Sequence, residues 1–507
     1  MADEHNPAAS KRQDPATSTK EPVGKDQTQR RIPRYQLLSE SDLDRLHEAS
    51  LSILSEVGVL FLHEEAKEIL RQHGARVDGD TAYLDNDTIE RYLSMAPSQF
   101  TQLARNPKKN VVIGGDHLCF APVYGPPFVH DRQGGRRHAT QQDFDNFVKL
   151  AYLSPHIHHS GGTIVEPNDS PVDTRHLDML LSHIRYSDKP FMGSVTSAEN
   201  AADSVALAEI LFGVDAIHQD PALLSLINVS SPRQLDDRML GALTTYARAR
   251  QAVIITPFIL SGAMAPVSIA GTIAQQNAEA LAGLVYAQMV ESGTPVVYGS
   301  FLTNVDLKSG GPVFGSPESQ LGILASAQLA YRYGLPFRSG GMFASAKTSG
   351  AQASYESVMT MLPAVQAGTH FILHAAGWLE NGLTAGYEKF ALDCEVLGML
   401  ERHVQGLGEL NDETMALDSI RQVPPGGHHL GTAYTMQHFR DAFYRAELFD
   451  YQDYDQWVAE GQRDALDRAE AYVQRALADY EPPELDQRIE AELHEYIETR
   501  KRELLPD

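Results

Sequence analysis

From about residue 150 the chain alternates short apolar, β-rich runs with longer stretches of helical periodicity, a rhythm that few architectures can produce. The runs SGGTIVEP, PFMGSVTS, LLSLINVSSP, AVIITPFIL, PVVYGSFLTNVD, PFRSGGMFAS and HFILHAAGWLE begin roughly 30 to 45 residues apart. Helical stretches such as TRHLDMLLSHIRYS, AADSVALAEILFG and PESQLGILASAQLAYRYG lie between them. Strands and helices alternating at this period imply parallel strands with crossover helices, and about eight such units favour a closed (β/α)8 TIM barrel over an open sheet. A dinucleotide-binding open sheet would need GxGxxG between its first strand and helix, and none occurs there. The units share no repeat sequence, which disfavours a solenoid. Seven strand starts are legible; the eighth strand is placed either just before Leu150 or in the glycine-rich hairpin segment NVVIGGDHLCFAPVYGPPFVHD.

The flanks have different patterns. Residues 1–32 are polar and rich in Pro, Ser, Thr and Ala, and are expected to form a disordered tail. Residues 33–150 open with SESDLDRLHEASLSILSEVGVLF, a capped amphipathic helix, and are assigned to an N-terminal α+β cap. The barrel is assigned to 151–410 and a C-terminal helical extension to 411–507, where Pro482 and Pro483 separate two helices. No apolar signal region follows the start, and no window approaches eighteen uninterrupted apolar residues, so neither export nor a membrane span is expected. With 42 basic against 67 acidic residues and a net charge of −25, nucleic acid and anionic membranes are poor partners. The two cysteines, Cys119 and Cys394, are far apart and outside any CxxC spacing, which fits a reducing cytoplasm and supplies no thiolate metal site.

Barrel enzymes carry their chemistry at the C-terminal ends of the strands, so polar residues there are the first candidates. Arg338 interrupts the apolar run LPFRSGGMF. Its planar fork suits a substrate carboxylate, or a structural salt bridge to Glu356 or another acid. His374 ends the run HFILHAAG, as a ligand-facing or a satisfied core histidine. Tyr124 in FAPVYGPPF offers an electron-rich ring to a quaternary ammonium, or plain packing. Tyr355 and Glu356 in GAQASYES, and Tyr387 in TAGYEKF, add phenol and carboxylate groups near the last two units. His156, His158 and His159, with His428 and His429, supply nitrogen ligands, but without cysteine partners or an HExxH helix a zinc site is disfavoured. There is no GxSxG elbow and no Walker loop, which argues against hydrolase and phosphoryl-transfer chemistry.

Several separated blocks carry a family resemblance. LSILSEVGVLFLHEEAKEILRQHGARVDGDTAYLD, GLPFRSGG, KTSGAQASYES, HAAGWLENGLTAGYEKFALDCEVLGM and HHLGTAYTMQHFRDAF, followed by YDQW, resemble in order the blocks of the trimethylamine methyltransferase family, over roughly residues 35 to 490. Archaeal trimethylamine enzymes of that family carry pyrrolysine near the position of RSGGMFASAK. This chain has only standard residues there and resembles the branch lacking pyrrolysine, whose members demethylate quaternary amines such as glycine betaine. The resemblance implies in-line attack on the substrate methyl by cob(I)alamin supplied by a separate corrinoid protein, giving dimethylglycine and methylcob(III)alamin, with no tightly bound cofactor. It implies positioning rather than a protein nucleophile, with Arg338 and His374 holding a betaine carboxylate and Tyr124 lining the methylammonium pocket. Trimethylamine transfer, a zinc-assisted methyltransferase and a non-catalytic betaine-binding protein are the alternatives. A homo-oligomer is compatible with the sequence.

Overall fold

Seven parallel strands and one extended segment close a ring in the computed structural model, which describes residues 27–505. The strands Phe191–Met192, Leu223–Ser230, Ala252–Ser261, Val296–Gly299, Phe337–Gly340, Phe371–Leu373 and Cys119–Phe120 pair in that order, each parallel to the next. The eighth position is filled by residues 158–161. The N–H groups of His158 and His159 donate to Phe120 O (3.0 and 3.2 Å), Ser160 N–H donates to Pro190 O (2.8 Å), and Gly161 O accepts from Met192 N–H (2.8 Å). Eight helices alternate with these elements, from Gln141–Leu153 to Tyr387–Val404, and a short ninth, Val214–Gln219, follows Ala198–Phe212. The chain is a (β/α)8 barrel.

All seven legible runs contribute to the ring, and its remaining strand comes from the hairpin segment. Cys119–Phe120 and the first barrel helix, Gln141–Leu153, therefore lie within the stretch assigned to the cap. A two-residue strand followed by proline has no periodicity of its own, and it is held by its pairing with Phe371–Leu373. The expected hairpin is also different: Val111–Gly114 pairs antiparallel with Gln99–Gln102, not with Cys119–Phe120.

The lumen is packed at its base. Cys119, Ala121, Leu224, Ile254, Val297 and Phe371 point inward and meet Phe100, Val111 and Ile113 of the Gln99–Gly114 strand pair in one apolar cluster. The barrel is stoppered at the N-terminal ends of its strands, leaving the C-terminal ends as the place for a cavity. Of the expected disordered tail, residues 1–26 lie outside the described residues, whereas 27–32 are docked. The Gln27 amide donates to Val112 O and Leu118 O and accepts from Val112 N–H (2.9, 3.2 and 2.8 Å). Buried backbone groups at the stopper need partners that the sheet does not supply, and this glutamine provides them.

The first helix, Glu40–Ser52, begins at Ser39, whose side chain accepts from Asp42 N–H. In the C-terminal extension the helices Ala465–Ala478 and Gln487–Leu504 flank the proline pair. The second is tied to the barrel through Asp203, which accepts from Tyr496 Oη and Arg500 Nε, both at 2.7 Å. Among the described residues no helix is long and apolar enough to cross a membrane.

Candidate active site at the mouth of the barrel

At the C-terminal ends of the strands lies a cavity of about 480 Å³, walled by Tyr124, Phe258, Phe301, Phe314 and Trp378 together with His374, Asn228 and Asn381. The aromatic rings brace one another. Phe301 stacks on His374 (centroids 5.5 Å apart, 29°), and Trp378 stands edge-on to His374 (4.6 Å, 76°) and to Phe314 (5.2 Å, 65°).

His374 is fixed at every polar atom but one. Its backbone takes φ of 61°, a left-handed conformation in which a non-glycine residue is strained. Its N–H donates to Pro122 O (3.1 Å) and its carbonyl accepts from Met342 N–H (2.9 Å). The ring Nδ1 accepts from Tyr124 N–H (3.2 Å), so the neutral imidazole presents Nε2–H as its free donor. Burial, and then the nearby Arg338 charge, hold the imidazolium pKa well below 6.5.

Arg338 has no exposed surface. Nη1 donates to Ser300 O at 3.2 Å, while Nε and Nη2 are buried without partners. The guanidinium carbon is 5.5 Å from the Phe301 ring centre. Burial lowers its pKa to about 9, so it remains charged at neutral pH. The structural salt bridge to Glu356 or another acid is not formed. A guanidinium buried without a carboxylate is costly, and its unmade hydrogen bonds define a place for an anion. On the next strand but one the Thr256 hydroxyl is likewise buried and unpaired. It occupies space left by Gly299, where an added Cβ would clash with it.

Tyr124 joins the same cavity from the strand Cys119–Phe120. A Cβ on Gly162 would come within 2.8 Å of its Cε2 atom, so the glycine makes room for the phenol ring. The other three candidates lie elsewhere. Tyr355 is 74% exposed on the outer helix Ala351–Ala367. Glu356, on the same helix, accepts from Ser345 N–H (2.8 Å) and Ala346 N–H (3.1 Å) and so anchors a loop rather than a substrate. Tyr387 stacks on Phe147 (4.4 Å, 18°) and donates to Asp143 (2.7 Å) beneath the first barrel helix. Helical spacing carries these side chains away from the lumen although they sit beside strand ends in the sequence.

The histidine run does not assemble a metal centre. His156 and His158 both meet Glu401 (2.5 and 3.1 Å), His159 bonds Gln102 (3.2 Å), and His428 and His429 are exposed. Among the described residues no group of three or more His, Cys, Asp or Glu side chains could hold a metal ion. A wider cleft of about 1440 Å³ in the C-terminal extension, bordered by Phe443 and Trp457, contains no barrel-strand residue and no unpaired buried polar group. Sequence reasoning missed Phe301, Phe314, Trp378 and Asn381. The Asn-Gly step after one of only two tryptophans was the available signal.

Barrel enzymes act where such groups converge, so the fold and the chamber together mark an enzyme with a small organic substrate. The profile of the trimethylamine methyltransferase (MTTB) family matches residues 5–505, and the chain belongs to that family of methyltransferases. A glycine betaine methyltransferase of Desulfitobacterium hafniense (strain Y51) is 46% identical over 474 residues, covering 93% of this chain and 98% of that protein. A proline betaine:corrinoid methyltransferase of Eubacterium limosum is 29% identical, covering 91% and 96%. The monomethylamine methyltransferase (MtmB) of Methanosarcina barkeri superimposes with a TM-score of 0.50 at 10% identity, over 88% of this chain and 89% of that one. That likeness concerns the fold alone.

Proposed function

We propose that the protein takes a methyl group from a carboxylated quaternary amine, glycine betaine being the best candidate, and passes it to a corrinoid on a partner protein. The observation that carries this reading is the buried Arg338 fork, unpaired at Nε and Nη2, lying 5.5 Å from the Phe301 ring that walls the aromatic chamber and close enough to His374 to depress its pKa. Arg338 and His374 hold the carboxylate. Tyr124 and the neighbouring rings receive the trimethylammonium group, which attracts π faces and needs no hydrogen bond. The chamber has room for a molecule of betaine size, and the corrinoid is read as a co-substrate brought to the barrel mouth by its own protein. It supplies the cobalt nucleophile, and the protein supplies orientation and a dry surround. The 46% identical glycine betaine methyltransferase supports this donor over trimethylamine, which has no anionic group to pair with Arg338. We assign the activity to the cytoplasm, in keeping with Cys119 and Cys394 both being free and buried.

The test is anaerobic methylation of cob(I)alamin, followed by loss of its absorbance, with glycine betaine, proline betaine, carnitine, choline and trimethylamine as donors. Turnover with a carboxylated quaternary amine and release of its tertiary amine is the expected result. Binding of betaine without turnover, even with a reduced cognate corrinoid protein, would instead make this a binding protein.

A further inference from the structure

The turn that follows Trp378 borders the cavity in an unusual conformation. Glu380, Asn381 and Gly382 all have positive φ, at 51°, 56° and 88°. Such a run is strained unless its surroundings impose it. Here Glu380 N–H donates to Ala346 O (2.8 Å) and Asn381 N–H to Ala344 O (3.1 Å). The Glu380 carboxylate is taken by Arg136 (2.7 Å) and Thr384 Oγ1 (2.6 Å). The turn contributes Asn381 and Gly382 to the cavity wall, and the Asn381 carboxamide oxygen is buried and without a partner. A strained turn ending in an unsatisfied acceptor points to a ligand.

The second observation concerns charge. Among the described residues no aspartate or glutamate lines the cavity, although the chain has 67 acidic residues. Glu279 reaches the wall only through Ser231, and its oxygens accept from Ser231 Oγ, Gln275 Nε2 and Arg233 N–H. A chamber proposed to bind a cation thus meets it with aromatic faces and a neutral amide.

The chemistry supplies a reason, on the quaternary-amine reading given above. The substrate nitrogen carries a full positive charge. In transfer, the C–N bond breaks with its electron pair returning to nitrogen, and the methyl carbon bonds through the pair brought by the cobalt(I) co-substrate. The charge on nitrogen therefore fades as the transition state forms. A carboxylate beside it would stabilise the bound cation more than the transition state, tightening binding while slowing transfer. A neutral oxygen orients the polarised methyl groups with much weaker attraction. We infer that Asn381 contacts the methylammonium group through its neutral amide oxygen, and that carboxylates are kept out of this cavity because they would over-stabilise the substrate before methyl transfer.

Asn381→Asp is nearly isosteric and tolerates the same backbone conformation. Glycine betaine binding to the full-length protein is measured by calorimetry, and methyl transfer in a single turnover with reduced cob(I)alamin. The dissociation constant is expected to fall about threefold while the transfer rate constant falls about tenfold. Asn381→Gly keeps the turn and removes the amide, and is expected to raise the dissociation constant and slow transfer by about threefold each. With native circular dichroism, an Asn381→Asp protein changed in neither quantity, or weakened and slowed together, overturns the inference. A wild type inert toward every quaternary amine removes the underlying reading and this inference with it. An active wild type with a silent Asn381→Asp removes the inference alone.

Discussion

Lys189 at the base of the barrel and Arg338 in its lumen are both buried basic side chains, and their donors are treated in opposite ways. Lys189 Nζ donates to Ile157 O, Ala151 O and Ser154 O at 2.6, 2.8 and 2.9 Å. It thereby ties the end of the helix Gln141–Leu153 to the segment that closes the ring, and all three of its donors are used. Arg338 makes one hydrogen bond, at 3.2 Å, and leaves Nε and Nη2 without partners. A buried basic group whose donors are matched belongs to the fold. One whose donors are left unmatched behind the aromatic wall of a cavity is poised for an anion that comes and goes.

The contrast breaks most visibly under substitution. Arg338→Met is expected to raise the glycine betaine dissociation constant about a hundredfold, roughly 3 kcal/mol, by calorimetric titration. Its urea midpoint should stay level or rise, because an unpaired buried charge has been removed. Lys189→Met should do the reverse. Three carbonyls lose their donor, stability falls by about 3 kcal/mol in urea denaturation, and betaine affinity in the surviving fold stays within about twofold. Equal loss of stability in the two variants would erase the distinction.

Smaller effects sharpen the picture. His374→Asn, which accepts a left-handed backbone, should weaken betaine binding about tenfold. Because burial and Arg338 hold the His374 pKa well below 6.5, the unfolded chain takes up this proton first. The contribution of His374 to stability is therefore lost as pH falls through the unfolded value, and betaine affinity should be flat from about pH 6 to 8. Affinity that rises on acidification would show an imidazolium at the site. Tyr355→Ala, at a 74% exposed position, should change neither binding nor stability by more than about 0.5 kcal/mol.

The parts legible in the sequence are those with a local signature. Six barrel strands are short apolar runs between helical stretches, and a run such as AVIITPFIL states its burial without help from elsewhere. Arg338 and His374 stood out as polar residues inside such runs. Tyr355, Glu356 and Tyr387 stood close to strand ends in the chain, but their direction depends on the turn of a helix. Phe301, Phe314 and Trp378 look like core aromatics in the sequence, and only the space between them makes them a wall.

The sequence by itself determined the barrel class, the family and the residues whose chemistry is out of place in an apolar strand, because periodicity and local composition are properties of neighbouring residues. Tertiary structure alone decided how the ring closes, through a two-residue strand that has no signal of its own and the backbone bonds that residues 158–161 make on both sides. It also decided that Arg338 has no acid partner and that Tyr124 N–H, 250 positions away, orients His374. Ring closure brings distant strand ends around one small volume, and whether a buried donor finds a partner there depends on every strand at once.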